Sequence, residues 1–265
     1  MLRTRLATAV VAIPTLWLVT EYLPLWLFAG FIVAVTAVGL HEYFAMALVG
    51  HPLARLGGVA WGIVLAGGVV SRRPEVWGAV LAAGLIIGLL VAVLDGDDLA
   101  GAVHRLGLAL LGVLYVGFFT PHIVLLRAPQ EGWRWVLFTV FVAMASDSGA
   151  YFAGRAFGRR KLAPAVSPSK TVEGALGGVA GAMLNAALCR WIFLRALATN
   201  EALLLGCGIS ILAQMGDLCE SALKRAFGAK DSGWIIPGHG GILDRLDSLL
   251  FPFVFTYYYA ALPRA

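Results

Sequence analysis

Apolar residues in this chain come in long, nearly unbroken runs, without the three-and-four spacing of a surface helix or the alternation of a strand. Runs of that length are what an α-helix needs to cross a hydrocarbon layer about 30 Å thick. Nine segments fit: 6–20, 23–49, 54–70, 76–94, 104–126, 133–154, 172–195, 201–223 and 248–262. Pro14 and Gly67-Gly68 interrupt two of them. The pattern predicts an all-α fold, a polytopic integral membrane helix bundle of about nine transmembrane helices. The gaps between runs are short except at 155–171 and 224–247, and no stretch reads as a separate soluble domain. The chain divides into N-terminal helices over 1–130 and C-terminal helices over 131–265, together one membrane domain, with the chemistry in the second part.

Composition sharpens this picture. Of 265 residues, 60% are hydrophobic and 13% charged, where a soluble domain sits near half and a quarter. Met1-Leu-Arg-Thr-Arg5 before an apolar run imitates a secretory signal, but no small-residue cleavage site follows, which predicts an uncleaved first span. With nine spans, the N-terminus and the loops after even-numbered spans carry 13 of the 20 Lys and Arg residues. That side, holding both long polar loops, is expected to be cytoplasmic. Trp26, Trp61, Trp77, Trp133, Trp135 and Trp234 fall near span ends, as an interfacial belt requires. Cys189, Cys207 and Cys219 are odd in number and fit neither a zinc site nor a disulfide framework. Overlapping G-x-x-x-G spacing over Gly174–Gly181 permits close helix approach, within one protomer or between two.

Polar residues are concentrated where hydrocarbon would punish them, which marks functional positions. Asp217, Glu220, Ser221 and Lys224 recur at i, i+3, i+4 and i+7, one stripe on the eighth span. Such a stripe must face protein or a water-filled cavity. Its bland alternative is an internal salt bridge that fixes helix packing. The loop Pro237-Gly-His-Gly-Gly241 can turn amides toward one point, as phosphate-holding nests do, or form an ordinary re-entrant turn. Asp244 follows directly, a hard carboxylate suited to Mg²⁺. Asp147 lies about two turns, ~10 Å, inside the sixth span. Ser169 or Thr171 can cap the seventh span, and Lys170 then sits at a helix N-terminus, a poor place for a cation without an anion nearby. Ser169-Lys170-Thr171 lacks the glycines of a P-loop. Asp95-Gly-Asp-Asp98 reads as a solvated turn and His41-Glu42 as a lone polar pair, suited to hydrogen bonding as much as to catalysis.

Residues 221–247 read S-A-L-K-R-A-F-G-A-K-D-S-G-W-I-I-P-G-H-G-G-I-L-D-R-L-D. This block resembles, without departure, the signature of the phosphatidate cytidylyltransferases, the CDP-diacylglycerol synthases, on Ser221, Leu223, Lys224, Arg225, Lys230, Asp231, Gly233, Ile236, Pro237, His239, Gly240, Gly241, Asp244, Arg245 and Asp247. Ser146-Asp-Ser-Gly-Ala-Tyr-Phe152 and Ser167-Pro-Ser-Lys-Thr-Val-Glu-Gly174 resemble the bacterial branch. The likeness is strong over about 146–248 and rests on hydropathy over the first third.

The resemblance implies cytidylyl transfer from CTP to phosphatidate, giving CDP-diacylglycerol and pyrophosphate, in a bacterial inner membrane. It implies a Mg²⁺ requirement, with two cations allowed, and commonly a homodimer; nucleic acid is not an expected partner. Set against that reaction, the residues themselves suggest catalytic roles for Asp217, Asp244 and Lys224, with metal expected on Asp217 and Asp244. Substrate contacts fall to Asp147, Ser169, Lys170, Ser221, Arg225, Lys230, Asp231, His239, Gly240, Gly241 and Arg245. Three rival readings are weaker. A CTP-dependent polyprenol or phytol kinase would not carry the unbroken signature, an ion-coupled transporter would hold its carboxylates at mid-membrane, and a scaffold has no use for so many charges in one block.

Overall fold

The computed structural model describes residues 14–95, 98–233 and 240–262. The chain is helical over 14–22 (α1), then in α2 (Leu25–Ala47), α3 (Pro52–Val70), α4 (Pro74–Leu94) and α5 (Leu99–Gly112). A π-helix, Val113–Phe118, joins α5 to α6 (His122–Arg127). Then come α7 (Gly132–Phe157), strands β1 (Lys161–Ala163) and β2 (Ser167–Thr171), α8 (Val172–Ile192), α9 (Thr199–Ala226) and α10 (Leu243–Ala261). Among the described residues, α2, α3, α4, the 99–127 unit, α7, α8 and α9 are each long and apolar enough to cross a membrane. The expected spans from 23–49 onward each coincide with one of these elements or with α10. The first, 6–20, lies mostly outside the described residues.

Prolines set several helix starts: Pro52 and Pro74 open α3 and α4, where the missing N–H costs nothing. Asp98 caps α5 by accepting from the Gly101 amide, and both Asp95 and Asp98 pair with Arg105 at 2.5 and 3.0 Å. The Arg105 hydrogen bond, then the Gly101 amide, hold the Asp98 carboxyl below its ordinary range. Asp95 and Asp98, the described ends of the turn the sequence suggested, are both exposed and fastened by one arginine, and residues 96–97 lie outside the described residues.

Two regions depart from expectation. Residues 155–171 are not a plain loop. The α7 helix continues to Phe157, and β1 and β2 form an antiparallel pair with Lys161 opposite Thr171 and Ala163 opposite Ser167. Asp147 therefore lies ten residues, about 15 Å, before the end of its helix. Trp61 lies in the middle of α3 and not near its end; its indole donates to the Val80 carbonyl at 3.1 Å and ties α3 to α4.

The G-x-x-x-G stripe works within the chain. A side chain at Gly174, Gly178 or Gly181 would meet the carbonyls of Ala150, Ser146 or Ala145 at 2.9–3.0 Å, so α7 and α8 touch almost backbone to backbone. Below the polar stripe, buried Ser146 and Ser210 share a hydrogen bond of 2.7 Å, and Gln214 donates to Ser210 and to the Ala175 carbonyl. These bonds fix α7, α8 and α9 against one another. The last helix joins the two halves of the chain. Its Leu243 and Leu250 are buried with Leu40, Tyr43, Phe44 and Val116 of the N-terminal helices, and its Phe253 with Val136 and Val140 of α7.

Candidate active site

The polar stripe on α9 meets the first turn of α10 and the end of β2. Gly216 makes this possible, because a side chain there would strike the Asp247 carbonyl of α10. The result is two neighbouring clusters, each built around one lysine.

In the first, Lys224 Nζ lies 2.6 Å from Asp244 Oδ1 and 2.5 Å from Glu220 Oε2. Glu220 is 1% exposed. The other Asp244 oxygen accepts from the Ser232 amide (3.0 Å), the Ser232 hydroxyl (2.9 Å) and the Gly241 amide (2.8 Å). Asp244 thus ties Ser232 and Gly241 to the start of α10. Gly240 permits the turn: its φ is +78°, and a side chain there would crowd the Asp244 carboxylate. The Gly241 amide, expected to face a phosphate, donates to Asp244 instead.

The second cluster holds Lys170 Nζ 2.6 Å from Asp217 Oδ2. The Ser221 hydroxyl reaches Asp217 Oδ1 at 3.4 Å, one turn along α9. Asp147 lies near Ser248 and within electrostatic reach of Asp217 and Lys170. Asp247 accepts from the Ser248 amide at 2.6 Å and is within reach of Asp217, Asp147 and Lys224. Three carboxylates, from α7, α9 and α10, therefore lie within electrostatic reach of one another, Asp217 and Asp147 near Lys170 and Asp247 near Lys224. Just before α8, Thr171 supplies the cap, accepting from the Gly174 amide at 3.1 Å. This directs Lys170 toward α9. Glu173 is used elsewhere, accepting from the Arg159 and Arg160 amides.

Of the expected site residues, the structure brings together Asp147, Lys170, Asp217, Ser221, Lys224, Gly240, Gly241 and Asp244. Ser169, Arg225, Lys230, Asp231 and Arg245 are exposed around the clusters. His239 lies outside the described residues. The expected pairing of Asp217 with Asp244 on one metal is not the arrangement seen: each carboxylate has its own lysine, and the acceptor sites of Asp244 are taken by four donors. Asp217 and Asp247, with Asp147 near them, form a set of hard oxygen donors, and Lys170 and Lys224 are the cations within their reach. As they stand, no three acidic, His or Cys side chains among the described residues converge closely enough to hold a metal.

Sequence reasoning overlooked the weight of Glu42. This residue of α2 is 3% exposed. It accepts from the Ile242 and Leu243 amides at 3.0 and 2.9 Å and from the Ser232 hydroxyl at 3.4 Å. A carboxylate some two hundred residues away thus satisfies the free amides that begin α10. The only sequence signal was an acidic residue inside an apolar run, which names no partner.

Residues 3–262 match the family model described as "Cytidylyltransferase family". Over 268 residues, covering 98% of this chain and 94% of the relative, the sequence is 35% identical to a phosphatidate cytidylyltransferase of Brucella suis. It is 42% identical over 159 residues to that of Bacillus subtilis, covering 60% of this chain and 59% of the relative. For Staphylococcus saprophyticus the figures are 43% over 143 residues and 54% of each chain.

Proposed function

This chain belongs to the cytidylyltransferase family, and from that premise we propose that it transfers the cytidylyl group of CTP to phosphatidate, releasing pyrophosphate and leaving CDP-diacylglycerol in the membrane. It is a nucleotidyltransferase built as a multi-pass membrane protein. The observation that carries the substrate reading is the pair of lysines, each held by carboxylates at the junction of α9, α10 and β2. Phosphate oxygens are the natural exchange partners for such lysines.

The lipid phosphate is the nucleophile and is already anionic at neutral pH, so no strong base is required. The obstacle is the approach of two anions, and cations remove it. Lys170 and Lys224 turn from their carboxylates to phosphate oxygens as the substrates enter. Exposed Arg225 and Lys230 draw CTP toward the site from the aqueous side. Asp244, through Ser232 and Gly241, keeps the loop and the Lys224 ammonium in register. Asp217 and Asp247 are the residues to hold Mg²⁺, which when bound supplies neutralising charge at the CTP phosphates.

The uneven distribution of Lys and Arg supports a site facing the cytoplasm of a bacterial inner membrane. A homodimer is part of the same proposal, and chemical cross-linking in native membranes tests it. The reaction is tested with purified protein, radiolabelled CTP and phosphatidate. Label recovered in a lipid product supports the reading, and label transferred only to water, to a polyprenol or to nothing rejects it.

A further inference from the structure

Tyr115 stands on the π-helix Val113–Phe118 between α5 and α6. Such segments are rare and frequently lie at functional sites. This one is firmly seated. A side chain at Gly117 would fall 3.0 Å from Gly62 Cα of α3. The Tyr115 ring is held edge-on by Phe119 and by Phe251 of α10, with centroids 6.4 and 6.1 Å away.

The ring is 5% exposed and its hydroxyl is shut off from solvent, yet among the described residues that hydroxyl has no hydrogen-bond partner. A buried hydroxyl left unpaired is unfavourable, so each such group calls for an explanation. The groups within its electrostatic reach are Glu220, Asp247, Cys219 and Asp217. Tyr115 therefore faces the polar clusters from the N-terminal side. The acidic groups there are already engaged: Asp217 with Lys170, Glu220 with Lys224, Asp247 with the Ser248 amide. What remains is one neutral donor, on a ring held by Phe119 and Phe251, beside a site rich in charge.

We propose that the Tyr115 hydroxyl is a substrate-binding donor supplied by the N-terminal half, and that it donates to a phosphate oxygen held between α9 and the first turn of α10. The inference rests on the nucleotidyl-transfer reading. Phosphate is the ligand chemistry that Lys170 and Lys224 select, and a neutral donor fixes the position of one oxygen without adding charge. The hydroxyl finds its partner only in the bound state. The phosphate can belong to CTP or to the lipid, and the binding measurements below separate the two.

The test uses the whole enzyme in detergent with Tyr115→Phe, which keeps the ring and its packing. Apo melting temperature, kcat and KM for both substrates, and the thermal upshift given by CTP alone and by phosphatidate micelles alone are measured. The hydroxyl has nothing to lose in the apo protein, so its melting temperature stays level or rises. Catalytic efficiency falls roughly 10- to 100-fold, the loss expected for one hydrogen bond to a charged group. A reduced upshift with CTP or with phosphatidate identifies whose phosphate is held, and a loss confined to kcat places the contact in the transition state. Wild-type efficiency in Tyr115→Phe overturns the proposal. So does a lowered apo melting temperature with activity lost only in proportion to unfolding, since the hydroxyl is then structural. If the wild-type enzyme neither turns over nor shifts with either substrate, the nucleotidyl-transfer reading falls first and this inference with it. Tyr115→Leu, which removes the ring, serves as the packing control and is expected to lower the melting temperature.

Discussion

Replacing Glu42 with Gln tests whether a residue of the second helix holds the active-site turn. The side chain keeps its size and loses its charge. In the native protein one carboxylate accepts two amide bonds, at 3.0 and 2.9 Å, at the start of α10, and a longer one from Ser232. Hydrogen bonds to a charged acceptor contribute about 1.5–3 kcal/mol each, and a carboxylate near a helix N-terminus about 0.3–1 kcal/mol more. The amide can retain one bond through its oxygen, but its NH₂ must then face a backbone N–H, two donors in opposition. The expected local loss is about 2–4 kcal/mol, because one bond weakens and one becomes unfavourable. Hydrogen exchange reads this directly. The Ile242 and Leu243 amides should exchange at least about 30-fold faster, since each 1.4 kcal/mol is tenfold. Helices α7 and α8, which do not touch Glu42, should keep their protection. Turnover should fall with the loosened turn, because Asp244 and Lys224 depend on it for register. Wild-type protection at Ile242 and Leu243 in Glu42→Gln, with full activity, would refute the assignment.

The two lysines should behave differently. Lys224→Met strands Glu220 and Asp244 in a largely buried site, so both apo stability and turnover should fall, stability by ~3–5 kcal/mol; an unchanged melting curve would contradict this. Lys170→Met frees Asp217, whose side chain is 33% exposed, so the melting temperature should hold while activity drops ~100-fold or more; a collapse of the fold would make Lys170 structural. Asp217→Asn should abolish turnover without unfolding, whereas Asp244→Asn should lower both activity and melting temperature, since Asp244 binds Lys224, Ser232 and Gly241; activity retained by Asp217→Asn at saturating Mg²⁺ would remove it from the metal site. Gly240→Ala puts a side chain at φ +78° and against Asp244, at a cost of roughly 1–2 kcal/mol; a variant as stable and active as wild type would show that the turn is not held as described.

The helical plan was legible because hydrocarbon thickness dictates run length, and each boundary from Leu25 onward fell within a few residues of its run. The polar stripe of α9 was legible too, since Asp217, Ser221 and Lys224 share a face by helical arithmetic alone. Partner choice was not. Spacing within one helix cannot say that Lys224 reaches Asp244 on the next helix, or that Lys170 pairs with Asp217. Glu42 was legible only as half of a lone polar pair, because the amides it holds lie some two hundred residues along the chain. The hairpin over 161–171 escaped because its strands are too short to show alternation and contain Pro168, which argues against a strand except at an edge. Sequence pattern recovers what one element does by itself, and the site depends on what four elements do together.

The central claim is that the lysine-centred clusters serve transfer of a cytidylyl group to a lipid phosphate. Its most direct measurement follows CTP labelled at the α-phosphate with purified protein, phosphatidate and Mg²⁺, resolving the lipid products. The account predicts label in CDP-diacylglycerol, equimolar pyrophosphate release, and loss of both with Lys170→Met while the protein stays folded. Absence of labelled lipid from folded wild-type protein, or undiminished transfer by folded Lys170→Met, would contradict it.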